Sequence, residues 1–222
     1  MLRVAVTQLD KYAAYLSEDD FPLDVLLRDL RGQTPRTPAM ERGHAFAKAM
    51  ENMAVCIQQG HTPGVAVDSS MLVAEGHAFA FTCDAEIEAW PRRELKAEKD
   101  YGGIIVSARC DRLQGHVIAD DKTTASFNRS DPSGRGGVER YIDKWQWRYY
   151  LDIFGAHEFV WHIWETRAVD FNPEEYPGIK AAWEIFNHHV IRNYRYPELE
   201  AECADFAREF KDFAERINLY PD

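Results

Sequence analysis

Two strand-like segments joined by a short turn lie near the middle of the chain and limit the folds it can adopt. The segment GGIIVSARC is rich in β-branched residues, and LQGHVIADDKTT begins with a turn that contains glycine. Together they predict a β-hairpin. Because side chains alternate between the faces of a strand, we expect Asp120 and Lys122 on one face and Asp121 on the other. Asp111, on the first strand, can approach Asp120 across the hairpin.

The patterns around this hairpin predict an α/β fold. Apolar residues recur at three- and four-residue spacing in LDKYAAYL, FPLDVLLRDL and AFAKAMENMAVCI, so the first sixty or so residues favour helices. After the hairpin, ERYIDKWQWRYYLDIF predicts a helix and HEFVWHIWETRAVDF a long strand. Two further helices are expected at about 178–193 and 198–217. The order predicts a mixed central β-sheet flanked by helices. We expect one domain over 1–222, with a helical part (1–65), a catalytic sheet core (70–165) and C-terminal helices (175–222).

Charge and composition narrow the classes of function. The chain of 222 residues has 26 basic and 37 acidic residues, yet 92–148 holds 12 basic and 9 acidic ones. The overall excess of acidic residues argues against a protein that coats a polyanion, whereas the basic stretch allows local contact with one. The apolar runs are shorter than the roughly 20 residues of a membrane span, and the first residues lack the apolar centre of a signal peptide. We therefore expect a cytoplasmic protein without a membrane partner.

The acidic hairpin residues suggest a metal site. Two carboxylates and the backbone carbonyl of Asp121 form the all-oxygen ligand set that Mg²⁺ prefers. A lysine beside such an ion can stabilise charge on a phosphate, or orient or deprotonate the attacking water. Asp111, Asp120 and Lys122 therefore predict phosphodiester hydrolysis. The alternative is a surface hairpin with ordinary charges, because D-x-K alone is a common sequence.

The following helix offers further candidates. Gln146 and Tyr150 are four residues apart, so they share a helix face, which we expect to be exposed. An amide and a phenol there could hydrogen-bond a phosphate or a base edge, although a solvated glutamine is the simpler interpretation. The buried stripe of the same helix is expected to contain Ile142, Trp145, Tyr149 and Ile153.

Three segments, in their order along the chain, resemble the motifs of PD-(D/E)XK nucleases, in particular those of the RecB-like branch that includes phage exonucleases. They are ARCDRL, ADDKTT and QWRYY. The resemblance spans about residues 98–164. It implies a restriction-endonuclease-like core and a Mg²⁺-dependent DNA exonuclease of recombination or repair, of a kind that phages encode, in a bacterial or phage-infected cell. Mn²⁺ is expected to substitute, and a recombination protein is a conceivable partner besides DNA. The implied metal ligands are Asp111, Asp120 and the carbonyl of Asp121. Lys122 would be the catalytic lysine, with Gln146 and Tyr150 arranged against DNA.

The sequence departs from this family in its early helix. Many relatives carry a metal-binding histidine in a G-x-x-x-H pattern, whereas MERGHAFAKAME has Gly43 followed by Ala47 at the expected position. Glu51 is the nearest carboxylate that could substitute, so the number of metal ions stays open. Some relatives also bind an iron–sulfur cluster. The four cysteines here, spaced by 27, 27 and 93 residues, do not reproduce its ligand pattern, and none is expected.

The sequence leaves several roles and functions open. The segment NRSDPSGRGGV is either a linker or a flap that contacts phosphates through Arg129 and Arg135. An upstream acidic residue is expected to contribute, and four glutamates are candidates: Glu86, Glu88, Glu94 and Glu98. An endonuclease of the same superfamily and a non-catalytic module that binds DNA or a protein are the alternative functions. The residues do not distinguish the polarity of digestion, the strand preference or the oligomeric state.

Overall fold

In the part of the chain that the structure describes, the centre of the molecule is an eight-stranded mixed β-sheet. The structure, a computed structural model, describes residues 2–18, 21–58, 71–84, 92–130 and 134–219. The strands are β1 (Leu2–Ala5), β2 (Met71–Ala74), β3 (His77–Phe81), β4 (Arg92–Asp100), β5 (Ile104–Gln114), β6 (Val117–Thr124), β7 (Glu158–Val169) and β8 (Ala181–Tyr194). Their order is β1-β5-β6-β7-β8-β3-β2, and β4 pairs with β5 as well.

Helices cover both faces of this sheet. They are α1 (Val6–Ser17), α2 (Leu23–Leu30), α3 (Pro38–Gln58), α4 (Glu139–Ile142), α5 (Trp145–Ile153) and α6 (Leu199–Arg216). The larger core lies on the face covered by α1, α5 and α6, where Tyr12 packs among aromatic rings of α6. The smaller core lies under α3, where Phe46 contacts Trp164. The mixed sheet flanked by helices that the sequence predicts is confirmed.

Strand β5 changes partners along its length. It pairs in parallel with β1 from Ile104 to Ser107 and antiparallel with β6 from Arg112 to Gln114. On its other side, β4 runs antiparallel along nearly the whole strand. Beyond the Arg112–Ala119 pair, β5 and β6 separate, and β1 has ended at Ala5. The edge of β5 between these two ladders is therefore free to line a cleft.

The helix predicted at about 178–193 is wrong, since this segment is strand β8. It pairs antiparallel with β7 over almost its full length and in parallel with β3. Alternate positions such as Ile185, Ile191 and Asn193 are buried, which is the two-residue period of a strand. The error arose because both faces of β8 are partly covered, so that the alternation of apolar and polar residues is weak. The C-terminal part is thus a strand followed by a single helix, α6.

Two shorter strands and a helix break also differ from expectation. Strand β1 lies in a segment whose pattern predicts a helix, and β4 lies in one for which no element is expected, although Leu95 and Ala97 alternate with charged residues in RELKAEKD. The single helix expected after the Gly-rich loop is two helices, α4 and α5, separated at Asp143 and Lys144. This break moves Ile142 out of the buried stripe, and the residue is 36% exposed.

None of the helices within the described ranges is long and apolar enough to cross a membrane.

Candidate active site

Two aspartates lie where β5 and β6 separate. Asp120 is almost fully buried on β6, and Asp111 is partly buried on the facing segment of β5. Burial and the neighbouring charge of Asp120 raise the pKa of Asp111 to about 7. The two carboxylates are therefore close enough to repel each other, as sequence alternation predicts for this pair.

Asp120 is held from two sides. The side-chain amide of Gln146 on α5 donates from Nε2 to Asp120 Oδ1 at 2.9 Å. The ammonium of Lys122 forms an ion pair with Asp120 Oδ2 and lies 5.6 Å from the ring centre of Trp161. One oxygen thus accepts a hydrogen bond from a neutral donor and the other forms an ion pair with a cation, so the carboxylate is held from both sides.

Lys122 carries a positive charge in this setting. Burial alone would lower the pKa of its ammonium group, but the carboxylates of Asp120 and Asp111 outweigh that effect, and the net pKa is raised. The side chain remains about 37% exposed, so its charged end reaches the cleft.

The side chain of Asp121 belongs to the opposite face of the sheet. Its Oδ1 accepts hydrogen bonds from Arg112 Nη2 at 3.0 Å and from Trp164 Nε1 at 2.9 Å. All three side chains are buried. The carboxylate is thus engaged away from Asp120, and the expected metal contact through the backbone carbonyl of Asp121 stays a prediction.

The carboxylates open into a cavity of about 710 Å³. Its walls come from the first residues of α1, from small residues of α3 and from strands β4, β5 and β6. Six residues predicted for the site line it: Asp111, Asp120, Asp121, Lys122, Gln146 and Tyr150. The fold therefore brings together residues that are up to 39 positions apart in sequence, at Asp111 and Tyr150.

Two cations at this cavity were missed by the sequence analysis. Lys96 on β4 and Arg109 on β5 lie directly opposite each other in the ladder, and both line the cavity. Arg109 also pairs with Glu94, from Nε to Oε2 at 3.1 Å. The alternating charges of RELKAEKD could have indicated a strand with a charged face, but only the pairing of β4 with β5 places that face at the cleft.

The other predicted DNA contacts are arranged differently. The Tyr150 side chain is buried rather than exposed, and its hydroxyl donates to the carbonyl of Arg109 at 2.7 Å. Arg135 lies beside Asp143, with Nη1 to Oδ2 at 3.7 Å, and the carbonyl of Arg129 accepts from Arg140. Neither Arg129 nor Arg135 lines the 710 Å³ cavity. Gln146 is also buried, so the exposed helix face expected for it and Tyr150 is wrong.

Helix α3 approaches the site through small residues. Gly43 and Ala47 line the cavity, and a Cβ atom at Gly43 would lie 3.5 Å from Thr123 Oγ1. Glu51, one turn after Ala47, borders a small crevice next to Asp111 and pairs with Lys48 at 2.6 Å. Ala47, at the position where the family resemblance predicts histidine, thus faces the site, and its side chain supplies no ligand atom.

The upstream glutamates divide into two groups. Glu94 borders the crevice beside Asp111, and Glu98 lines the main cavity and pairs with Arg3 at 2.8 Å. Glu86 and Glu88 lie outside the described residues. Within the described part of the chain, no three histidine, cysteine or acidic side chains are grouped so as to hold a metal ion. A cation at Asp111 and Asp120 would therefore need backbone, water or substrate oxygens as well, which is usual for Mg²⁺.

The fold is similar to that of known structures. No protein-family model and no curated protein sequence matches the chain. A candidate exonuclease from Eubacterium rectale has a TM-score of 0.52 and 12% identity, covering 97% of this chain and 80% of that chain. SSO0001 has a TM-score of 0.47 and 12% identity, covering 94% and 75%. LHK-Exo in complex with dAMP has a TM-score of 0.43 and 16% identity, covering 96% and 90%. At 12% identity, the similarity to the Eubacterium rectale structure concerns the fold alone.

The raised pKa of Asp111 predicts a pH-dependent loss of stability without divalent cations. Because the folded protein binds this proton more tightly than the unfolded chain, the group lowers stability as the pH rises from about 4 to 7. Asp111→Asn should remove that loss. This loss is measured by urea unfolding in EDTA at pH 5 and pH 8. Between these pH values, Asp111→Asn should lose less free energy of unfolding than the wild type, by at least about 1 kcal/mol. Asp170→Asn, at an exposed site, controls for net charge. A variant that loses as much stability as the wild type over this pH range would contradict the raised pKa of Asp111.

Proposed function

We propose that this chain is a metal-dependent deoxyribonuclease, and specifically an exonuclease that acts in DNA recombination or repair. The observation that carries the proposal is the convergence of Asp111, Asp120 and Lys122 in one cleft, at the place where β5 and β6 separate. The motif order in the sequence and the fold similarity are consistent with it. The intact set of three residues argues against a module that has lost catalysis.

The donor chemistry fits a hard divalent cation. Burial and the charge of Asp120 raise the pKa of Asp111, and a cation between the two carboxylates would relieve their repulsion. The side chains of Asp111 and Asp120, with the carbonyl of Asp121, would hold Mg²⁺. When bound, the ion would lower the pKa of a water ligand and neutralise charge on the scissile phosphate. Mn²⁺ suits the same oxygen ligands.

The protein groups then have separate tasks. Lys122 places a fixed positive charge beside Asp120, where it can stabilise the negative charge that develops on a phosphate. Gln146 keeps the Asp120 carboxylate in one orientation. Lys96 and Arg109 add positive charge along the cavity wall, where they can contact neighbouring phosphates of the strand. The first residues of α1 face the same cavity, and a helix N-terminus favours an anion.

Activity should require a divalent cation and the Asp120 carboxylate. Wild-type protein should degrade end-labelled linear DNA with Mg²⁺ or Mn²⁺ and leave it intact in EDTA. Asp120→Asn keeps the size of the side chain but removes its charge, so the rate should fall at least about a hundredfold. Asp143→Asn, which changes an exposed aspartate outside the cavity, should retain wild-type activity. Degradation in EDTA, or full activity of Asp120→Asn, would refute the metal-dependent mechanism.

Lys122→Met should separate turnover from metal binding. Methionine keeps an unbranched apolar stem but lacks the charge, so kcat should fall on the order of a hundredfold. The carboxylates remain, and Mg²⁺ should still raise the melting temperature of the variant, as it does for the wild type. Thermal melts with and without Mg²⁺ test this, in parallel with kinetics on linear DNA. If the variant loses the metal-induced shift together with turnover, Lys122 organises the metal site instead of acting on the phosphate.

Dependence on DNA ends should distinguish an exonuclease from an endonuclease. The carboxylates lie inside a cavity walled by α1 and α3, which a strand can enter more readily from a free end than from within a duplex. Linear duplex should therefore be degraded progressively, while covalently closed circular DNA survives. A nicked circle, which has ends but the same sequence, is the matched control. Equal rates on closed circular and linear DNA would favour an endonuclease with the same metal chemistry.

A further inference from the structure

Helix α5, which carries Gln146, has no N-terminal cap of its own. The residue at its N-cap position is Lys144, whose backbone has the extended geometry of an N-cap (φ −68°, ψ 142°) but whose side chain makes no capping hydrogen bond. An ammonium group has no acceptor atom, so lysine cannot satisfy the free amides of a first helical turn. Those amides need an acceptor from elsewhere in the protein.

The acceptor comes from α1. Asp10 Oδ1 accepts from the backbone N–H of Trp145 at 2.7 Å and from that of Gln146 at 3.0 Å. Helix α1 is itself fixed on its other side, where Tyr12 packs against Phe210 and Phe213 of α6. A carboxylate on one rigid helix thus caps the next helix in trans, where most helices use an N-cap side chain of their own.

The capped residue is the one that holds the catalytic carboxylate. The backbone N–H of Gln146 donates to Asp10, and its side-chain Nε2 donates to Asp120 Oδ1 at 2.9 Å. Gln146 is only 5% exposed, so little space is left for another orientation. A continuous path of hydrogen bonds therefore runs from Asp10 through a single residue to Asp120.

Asp10 itself stays out of the catalytic cavity. It borders a separate cavity of about 400 Å³, next to Lys144 and Trp145, and is not among the residues that line the 710 Å³ cavity. It therefore has no place from which to touch a substrate or ion at Asp111 and Asp120. Asp10 does interact electrostatically with Lys122, so a variant that keeps the acceptor oxygen but removes the charge is needed to isolate an effect through the position of α5.

We propose that Asp10 is a positioning residue of the nuclease site, which fixes the first turn of α5 so that Gln146 orients the carboxylate of Asp120. This inference rests on the proposed function. It assigns a role in the site to a residue of the N-terminal helix that carries neither a metal ligand nor a catalytic group.

Three variants test the role of the cap. Asp10→Ala removes the acceptor, whereas Asp10→Asn keeps an oxygen in the same place without the charge. The double variant Asp10→Ala with Lys144→Ser gives α5 a local cap, because a serine hydroxyl at the N-cap can accept from the second or third amide of the helix. Asp143→Ala, next to α5 but without contact to its first amides, is the matched control.

The measurements are kcat and KM on linear DNA and hydrogen exchange of the Trp145 and Gln146 amides. Asp10→Ala should lower kcat on the order of 10- to 100-fold with little change in KM, because a small displacement of a positioning group slows chemistry more than binding. Both amides should lose protection from exchange. Asp10→Asn should retain kcat and protection, and the double variant should regain much of kcat together with protection of the Gln146 amide. The side-chain amide resonances of Gln146 should shift only in Asp10→Ala.

The outcomes separate the two proposals. An inactive wild type would refute the nuclease function, whereas the exchange and resonance data would still report whether Asp10 holds Gln146. An active wild type with unchanged kcat in a folded Asp10→Ala protein would overturn the positioning role. The same conclusion follows if Asp10→Asn is as slow as Asp10→Ala, or if the double variant recovers amide protection without any recovery of kcat.

Discussion

Strand β5 pairs with three neighbouring strands. Because one edge of a strand can hydrogen-bond only one partner at a given residue, two of these strands must pair with different parts of the same edge. It pairs with β1 at its beginning and with β6 near its end, while β4 occupies the opposite edge. Between the two ladders its edge is left without a strand partner, and Asp111 lies in this interval. A sheet that stayed fully paired here would leave no room for a substrate between β5 and β6, so the cleft depends on this change of partners.

Strand β6 brings negative charge to both faces of the sheet, which has to be compensated. On the cleft side Asp120 is held by Lys122 and Gln146. On the other side Asp121 is held by Arg112 and Trp164. Burying a carboxylate without such partners would cost several kcal/mol of free energy. Burial and the charge of Asp120 raise the pKa of Asp111, so its ionised form is disfavoured until a cation binds beside it.

The sequence was informative where the pattern was local. The hairpin of β5 and β6, and the projection of Asp120 and Asp121 to opposite faces, follow from alternation along a short strand. The same reasoning failed for β8, where both faces are partly covered by other residues. It also failed for Gln146 and Tyr150, because α5 is buried on most of its sides and not only along the stripe that contains Tyr149. An apolar stripe in the sequence does not show whether the polar face of the same helix is covered as well.

The sequence by itself therefore determined which groups are available: two carboxylates on adjacent strands of one hairpin, a lysine two residues after the second, and a glutamine on the next helix. These depend on spacings of a few residues, which backbone geometry fixes. Only the tertiary structure decided how the groups are held and what surrounds them. Lys96 faces Arg109 because β4 pairs with β5, and Asp10 reaches the amide of Gln146, 136 residues away, because α1 packs beside α5. Contacts at that separation arise from the packing of whole elements, for which no local pattern in a single sequence carries a signal.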